Sequence, residues 1–351
     1  MRRMSALRLA PSAATLRRLL AAASALVLLA MGAPQPSAAA SARQCRYVRL
    51  GSMPATWVGS RLRVQGSVDD TPEPMILDSG AVHMLIPAQM AADLALVPIP
   101  GVRGSAYGAG GKTWMWVAKV MEIQVGDVKG SDVKVAVASV DSLDILVGAD
   151  FLFQHDLELD GGRATSFTPL DCGDVPLAWW AADVPYVPIE EPDGDDRRVV
   201  VEVRVNGHPL RALVDTGAPT TVIDAGAAHR LGLGDAADGT GSRELGGVGN
   251  KRMRVWPVAI DDFALGGEQV THTRLLVGDL WGNQRQDMGT LTGWWRLRHA
   301  PEVILGADFL RAHHLLFAMQ QRRLYFSYQG GDLFNTPTEA GVPEPAASSG
   351  S

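Results

Sequence analysis

Two short stretches hold the residues best suited to chemistry. Ile76-Leu77-Asp78-Ser79-Gly80-Ala81 and Leu213-Val214-Asp215-Thr216-Gly217-Ala218 each close an apolar run with an aspartate, then add a small hydroxyl residue and a glycine. A lone Asp-Ser-Gly or Asp-Thr-Gly reads as a surface turn, because Asp, Ser, Thr and Gly all favour turns. Here the tripeptide occurs twice, and each copy follows an apolar strand pattern rather than a polar loop. Two carboxylates carried by matching segments imply a two-carboxylate site assembled from two halves.

The elements that must position these aspartates repeat as well. Asp78 leads through Ile86-Pro87-Ala88 to Leu94-Ala95-Leu96, and Asp215 through Ile223-Asp224-Ala225 to Leu231-Gly232-Leu233, with 18 residues from acid to final leucine in both. Pro87 suits a first helical turn and Asp224 a helix cap. Each half therefore reads as strand, acidic turn, short strand, helix. A glycine-rich turn follows in each, Tyr107-Gly108-Ala109-Gly110-Gly111-Lys112 and Gly246-Gly247-Val248-Gly249-Asn250-Lys251, placed as a hairpin tip would be. Leu146-Val147 and Ile304-Leu305 then each precede an identical Gly-Ala-Asp-Phe-Leu, 148–152 and 306–310.

The offset between halves is 137 at the aspartates, 139 at the lysines and 158 at this last motif, so the second half holds 19 extra residues. Trp281–His299 has that length and reads as a surface insertion, either carrying specificity or packing locally. Val199–Val205 alternates apolar and polar residues, and Asn206-Gly207 marks a tight turn into Leu210–Val214. The remaining segments are short and β-branched. They predict a mainly-β protein of two similar barrel-like lobes with one short helix each.

Composition sets the outer bounds. Arg2, Arg3, Arg8, Arg17 and Arg18 precede the apolar stretch Leu19–Met31, and prolines and small residues follow. That order is expected of a secretory signal over 1–40, since its apolar core is shorter than the roughly 20 residues that span a bilayer. An uncleaved anchor is the alternative reading. The expected location is periplasmic or extracellular, with no stable membrane insertion after signal cleavage. The first lobe is expected over 44–175, a Pro-rich acidic linker over 176–198, the second lobe over 199–329 and a disordered tail over 330–351. Net charge is −6, and −11 once the five signal arginines are gone, which argues against nucleic acid as a partner. Cys45 and Cys172 both follow the signal, and an oxidising compartment would allow one disulfide or leave two thiols. No metal-ligand spacing, phosphate loop, dinucleotide fingerprint or Gly-x-Ser-x-Gly elbow occurs, so no metal or cofactor is expected.

The acidic loop, the glycine-rich hairpin and the two apolar residues before glycine together resemble the retropepsin-like aspartic proteases over about 44–328. With both halves in one chain, the resemblance implies a fused pseudo-dimer of two retropepsin-like β-barrel lobes acting as a monomer. It implies Asp78 and Asp215 as catalytic residues of an endopeptidase that cleaves a peptide or protein. One aspartate would take a proton from water and the other would donate to the substrate carbonyl. Gly80 and Gly217 would donate N–H groups to the carboxylates, and Ser79 and Thr216 would bond across to the opposite loop. Tyr107, Gly108, Gly110, Gly247 and Gly249 would form flaps against substrate. Gly148 and Gly306 would let a strand pass behind each loop, and Asp150 and Asp308 would be structural. The architecture also implies a Cys45–Cys172 bridge, because the terminal strands of the first lobe lie side by side.

The first half departs from the family pattern. It reads Ala81-Val82-His83-Met84 where the second reads Ala218-Pro219-Thr220-Thr221, so Met84 replaces a small hydroxyl residue. That change leaves a non-catalytic peptide-binding module as an alternative, and the linker length leaves intermolecular homodimeric sites as another. His83 reads as a surface or packed residue, since this chemistry needs no histidine.

Overall fold

The computed structural model describes residues 45–140, 144–234, 241–284 and 299–334. The expected signal, most of the Trp281–His299 insertion and the tail beyond Phe334 lie outside the described residues.

The alternating segment behaves as its pattern dictates. In β12 (Val200–Val205) Val201, Val203 and Val205 are buried, while Glu202 and Arg204 face solvent and pair at 3.0 Å. Asn206 and Gly207 turn at φ 49° and 76°, both left-handed as a two-residue hairpin requires, and β13 (His208–Val214) returns toward Asp215. β13 pairs in parallel with β18 (Val303–Leu305), whose other edge takes β14 (Val222–Asp224). β14 pairs with β17 (Glu268–Gly278), β17 with β16 (Met253–Leu265), and β16 returns to β12, closing a six-stranded barrel. β15 (Arg243–Leu245) extends β16 outward as the second flap.

The first lobe repeats the circuit. β2 (Arg61–Val68), β3 (Thr71–Leu77), β8 (Ile145–Val147), β4 (Leu85–Pro87), β7 (Val128–Ala138) and β6 (Gly111–Val125) follow one another, and β6 closes onto β2. β5 (Pro98–Gly108) pairs along β6 as the first flap. Fully buried aliphatics such as Met75, Leu77 and Ile86 fill one barrel, and Val203, Val214 and Ile223 fill the other, in a continuous core. The mainly-β, two-lobe expectation is borne out.

Each lobe has a second helical turn besides the expected helix. α1 (Ala88–Asp93) and α3 (Ala225–Arg230) follow the acidic loops; α2 (Ala149–Leu152) and α4 (Ala307–Leu310) are formed by the identical Gly-Ala-Asp-Phe-Leu motifs. Pro87 stands at the cap of α1 rather than in its first turn, whereas Asp224 caps α3 through Gly226 N–H at 3.0 Å.

A further sheet joins the lobes. β1 (Arg46–Val58), β10 (Arg163–Leu170), β9 (Asp156–Asp160), β19 (His313–Ala318) and β20 (Arg323–Tyr328) run side by side. At the junction Leu157 opposes Phe317, Glu158 opposes Leu316 and Leu159 opposes Leu315. With the offset of 158 read at the Gly-Ala-Asp-Phe-Leu motifs, Glu158 faces its own repeat equivalent, which puts the pseudo-twofold axis through that pair. Symmetry breaks there: buried Glu158 accepts from Trp179 Nε1 and bonds His314 Nε2, both at 2.9 Å, where the other lobe has leucine.

Segments outside the expected lobe bounds also pack. The segment 176–198, expected as the linker, packs against the lobes. It buries Leu177, Ala178, Val187 and Ile189, and β11 (Tyr186–Pro188) pairs with β20 at the sheet edge. Proline is tolerated there because an edge strand leaves one row of N–H groups unused. Gly330–Phe334, expected as the start of the tail, also packs: Phe334 is buried against Phe263 and Phe309 and donates its N–H to Asp308 O. Cys45 and Cys172 form a disulfide beside the first β1–β10 pair, Arg46 with Leu170, tying off the first lobe.

Candidate active site

β3 delivers Asp78 and β13 delivers Asp215, and the two acidic loops interlock. Ser79 Oγ donates to Val214 O at 2.8 Å, and Thr216 Oγ1 donates to Leu77 O at 2.7 Å. Each hydroxyl also accepts the opposite loop's N–H: Ser79 N reaches Thr216 Oγ1 at 3.0 Å, and Thr216 N reaches Ser79 Oγ at 2.9 Å. Four hydrogen bonds thus lock two loops that lie 137 residues apart. Both hydroxyl residues are buried, so losing either would strand polar groups away from water.

Within each loop the carboxylate is fixed the same way. Asp78 Oδ1 accepts the N–H groups of Gly80 and Ala81, both at 3.0 Å; Asp215 Oδ1 accepts those of Gly217 at 2.9 Å and Ala218 at 3.0 Å. A Cβ on Gly80 would fall on the Asp215 carboxylate, and one on Gly217 on the Asp78 carboxylate. Glycine is required because each loop backbone passes against the other loop's acid. Each carboxyl therefore lies against the backbone of the opposite acidic loop.

Burial is the main cause that raises both acids above the ordinary carboxylate range. For Asp78 the neighbouring Asp215 charge adds to it, and the Ala81 and Gly80 N–H groups oppose it. For Asp215 the Gly217 and Ala218 N–H groups, the bond to Asp78 and the Arg198 charge oppose it. Two adjacent acids withdrawn from solvent retain a shared proton more readily than isolated ones.

A family model for aspartyl proteases matches residues 64–151 and again 201–309, more than half of the chain. The chain belongs to the retropepsin-like aspartyl protease family. No curated protein matches it.

The remaining candidate residues of this aspartyl protease chain surround the paired loops. Behind each loop, Gly148 and Gly306 pass against the backbone of His83 and Thr220, where a Cβ would clash. Asp308 is buried and accepts from Thr221 N–H, Thr221 Oγ1 and Thr220 Oγ1 at 2.7–3.0 Å. Its counterpart Asp150 accepts from Met84 N–H at 2.9 Å and meets His83 Nδ1 at 3.2 Å, with the imidazole more than half exposed. His83 therefore braces the first loop from outside and lies apart from the dyad's hydrogen bonds.

The flaps meet tip to tip. Gly110 and Gly249 form a parallel bridge, with Gly110 N donating to Val248 O at 3.0 Å and Lys251 N to Gly110 O at 2.9 Å. Gly249 has φ 112°, and a Cβ on it would strike the Gly110 carbonyl. Gly108 and Gly247 press against Val248 and Ala109 in the same contact. Tyr107 opposes Lys112 just before the first tip and is half-buried. Val248 packs against the first-lobe cluster of Ile76, Leu85, Ala138 and Leu146, which brings the second tip to the strand that leads into Asp78.

One contributor had no sequence signal and another only a partial one. Asn283, where the insertion begins, donates to Ala109 O at the first flap tip at 2.9 Å. Thr220 and Thr221 complete the Asp308 network. The repeat comparison exposed the mismatch at 221 and 84, but not that the hydroxyls serve a buried carboxylate.

Proposed function

We propose that this chain is an exported aspartic endopeptidase that hydrolyses peptide bonds as a monomer, with Asp78 and Asp215 as its catalytic pair. The reciprocal locking of the two loops, which sets each carboxyl against the opposite acidic loop, carries this reading. An ionised carboxylate takes a proton from water, and the water oxygen attacks the substrate carbonyl carbon. The protonated partner gives its proton to the carbonyl oxygen, forming a neutral gem-diol. On collapse the pair gives its proton to the departing nitrogen and takes one from a gem-diol hydroxyl as the C–N bond breaks, so the pair again holds one proton. Both halves of the pair come from one chain, which supports a monomer over intermolecular sites. Burial raises both acids, so the singly protonated window extends upward from the acidic range toward neutral. Export is supported by the leader pattern and the Cys45–Cys172 bridge.

The Asp78 loop keeps the same two N–H contacts as the Asp215 loop despite Met84, so the altered neighbour does not favour a binding-only module. The test is cleavage of an unstructured protein by the purified mature chain across pH, with a statine-type inhibitor as control. Turnover abolished by Asp78→Asn and by Asp215→Asn is the expected result. Binding without turnover would overturn the proposal.

A further inference from the structure

The two flap hairpins differ in charge from the rest of the chain. The first flap hairpin, 98–118, carries Arg103 and Lys112 and no acid. The second, 241–259, carries Arg243, Lys251, Arg252 and Arg254 against Glu244 alone. Six basic residues and one acidic residue frame the flaps of a protein whose net charge is −6. Arg103, Arg243, Arg252 and Arg254 are exposed, and none has a carboxylate partner among the described residues. Arg254 reaches only Ser242 Oγ, at 3.4 Å, and the Arg252 guanidinium lies along Gly246 of the second tip. Lys112 sits 4.6 Å above the ring of Trp114, an exposed aromatic on the same hairpin.

The lobes beneath do not share this excess. Asp144 and Glu302, at equivalent positions just before β8 and β18, are each neutralised by an arginine, Arg63 at 2.6 Å and Arg230. Exposed basic residues without a carboxylate partner among the described residues also stand elsewhere, as at Arg61 and Arg163, but the two flap hairpins, which meet at their tips, combine six basic residues with a single acid. Any one exposed charge is worth little, but a one-signed rim around a cleft focuses field lines and raises the local concentration of oppositely charged ligands.

We propose that the flaps select acidic peptides, meaning extended substrates with Asp or Glu flanking the scissile bond. This inference rests on the peptidase reading for its biological meaning, but its test does not need turnover. The full mature chain carrying Asp215→Asn is titrated with fluorescent peptides of matched sequence whose flanks are acidic, neutral or lysine-bearing. The acidic peptide should bind about tenfold tighter than the lysine peptide at about 0.01 M salt, and the gap should close toward 1 M as screening shortens to a few ångströms. Adding Arg103→Glu and Arg254→Glu should abolish or reverse the preference. Arg243→Gln with Arg254→Gln should weaken it and serves if the reversal variant does not fold.

Equal or tighter binding of the lysine peptide overturns the proposal. So does a preference that survives charge removal, or binding of none of the three peptides. Cleavage of the neutral peptide by the unsubstituted chain reports separately on the peptidase reading.

Discussion

The Asp78 and Asp215 loops agree where they face each other and differ where they face away. On the inner side both use a hydroxyl bonded to the opposite strand's carbonyl and two N–H groups on one carboxylate oxygen. On the outer side the second loop rests on buried Asp308 and two threonines, while the first rests on half-exposed Asp150, a backbone N–H and an imidazole. The dyad geometry is set by the shared inner contacts, so the outer brace is free to change chemistry. That freedom explains how Met84, fully buried among apolar neighbours, can occupy the place of Thr221.

The largest expected effect tests the equivalence of the inner sides. Asp78→Asn and Asp215→Asn should each lower kcat by about 10³-fold or more, because on the proposed mechanism each removes half of a shared proton-transfer pair. A variant retaining near-normal turnover would break the symmetry of the pair. The same Asp78→Asn variant should gain thermal stability relative to the parent near neutral pH. Burial raises the folded-state Asp78 above its unfolded value, so its contribution is intact below the ordinary carboxylate range and is lost as pH rises through the raised value. Melting curves of the two proteins should therefore converge in acid and separate on the alkaline side.

The outer braces should differ in strength. Asp308→Ala strands the buried Thr221 N–H and should cost about 3 kcal/mol in urea unfolding, whereas Asp150→Ala, at a wetter site, should cost about 1 kcal/mol. The reverse order would mean that the first loop depends more on its brace than its exposure implies. Asn283→Ala should raise KM a few-fold with little change in kcat, since one flap-tip hydrogen bond of about 1 kcal/mol is lost away from the carboxyls.

The smallest effect concerns His83. Its hydrogen bond to Asp150 raises the imidazole above the ordinary histidine value, against the opposing effect of burial. Stabilisation by this pair is full below that ordinary value and fades as pH rises through the raised one. His83→Ala should cost under about 1 kcal/mol in acid and less in alkali, the modest size reflecting an exposed pair. A pH-independent loss would assign His83 to packing instead.

Local pattern made part of this molecule legible. The Val201, Val203, Val205 alternation, the Asn206-Gly207 turn and the spacing from each aspartate to its helix depend on neighbours a few residues away, where periodicity and turn chemistry act directly. Repetition then paired Asp78 with Asp215 without any coordinates. Other features were hidden because residues distant in the chain decide them. Residues 186–188 of the Pro-rich segment become a strand only because β20 offers them an edge. Phe334 leaves a Gly-rich tail only because Phe263 and Phe309 leave it a place to bury, and Asn283 finds a partner only because the first flap closes on the second lobe.

The sequence by itself determined the two-fold repeat, the pair of acids and the kind of fold that holds them, since each is written in short-range pattern copied twice. Tertiary structure decided which contacts join the copies: the four-bond interlock, the tip-to-tip flaps and the Glu158–Leu316 axis of the shared sheet. Those contacts form between groups more than 100 residues apart, and their geometry follows from packing two closed barrels together, which one strand's pattern does not encode.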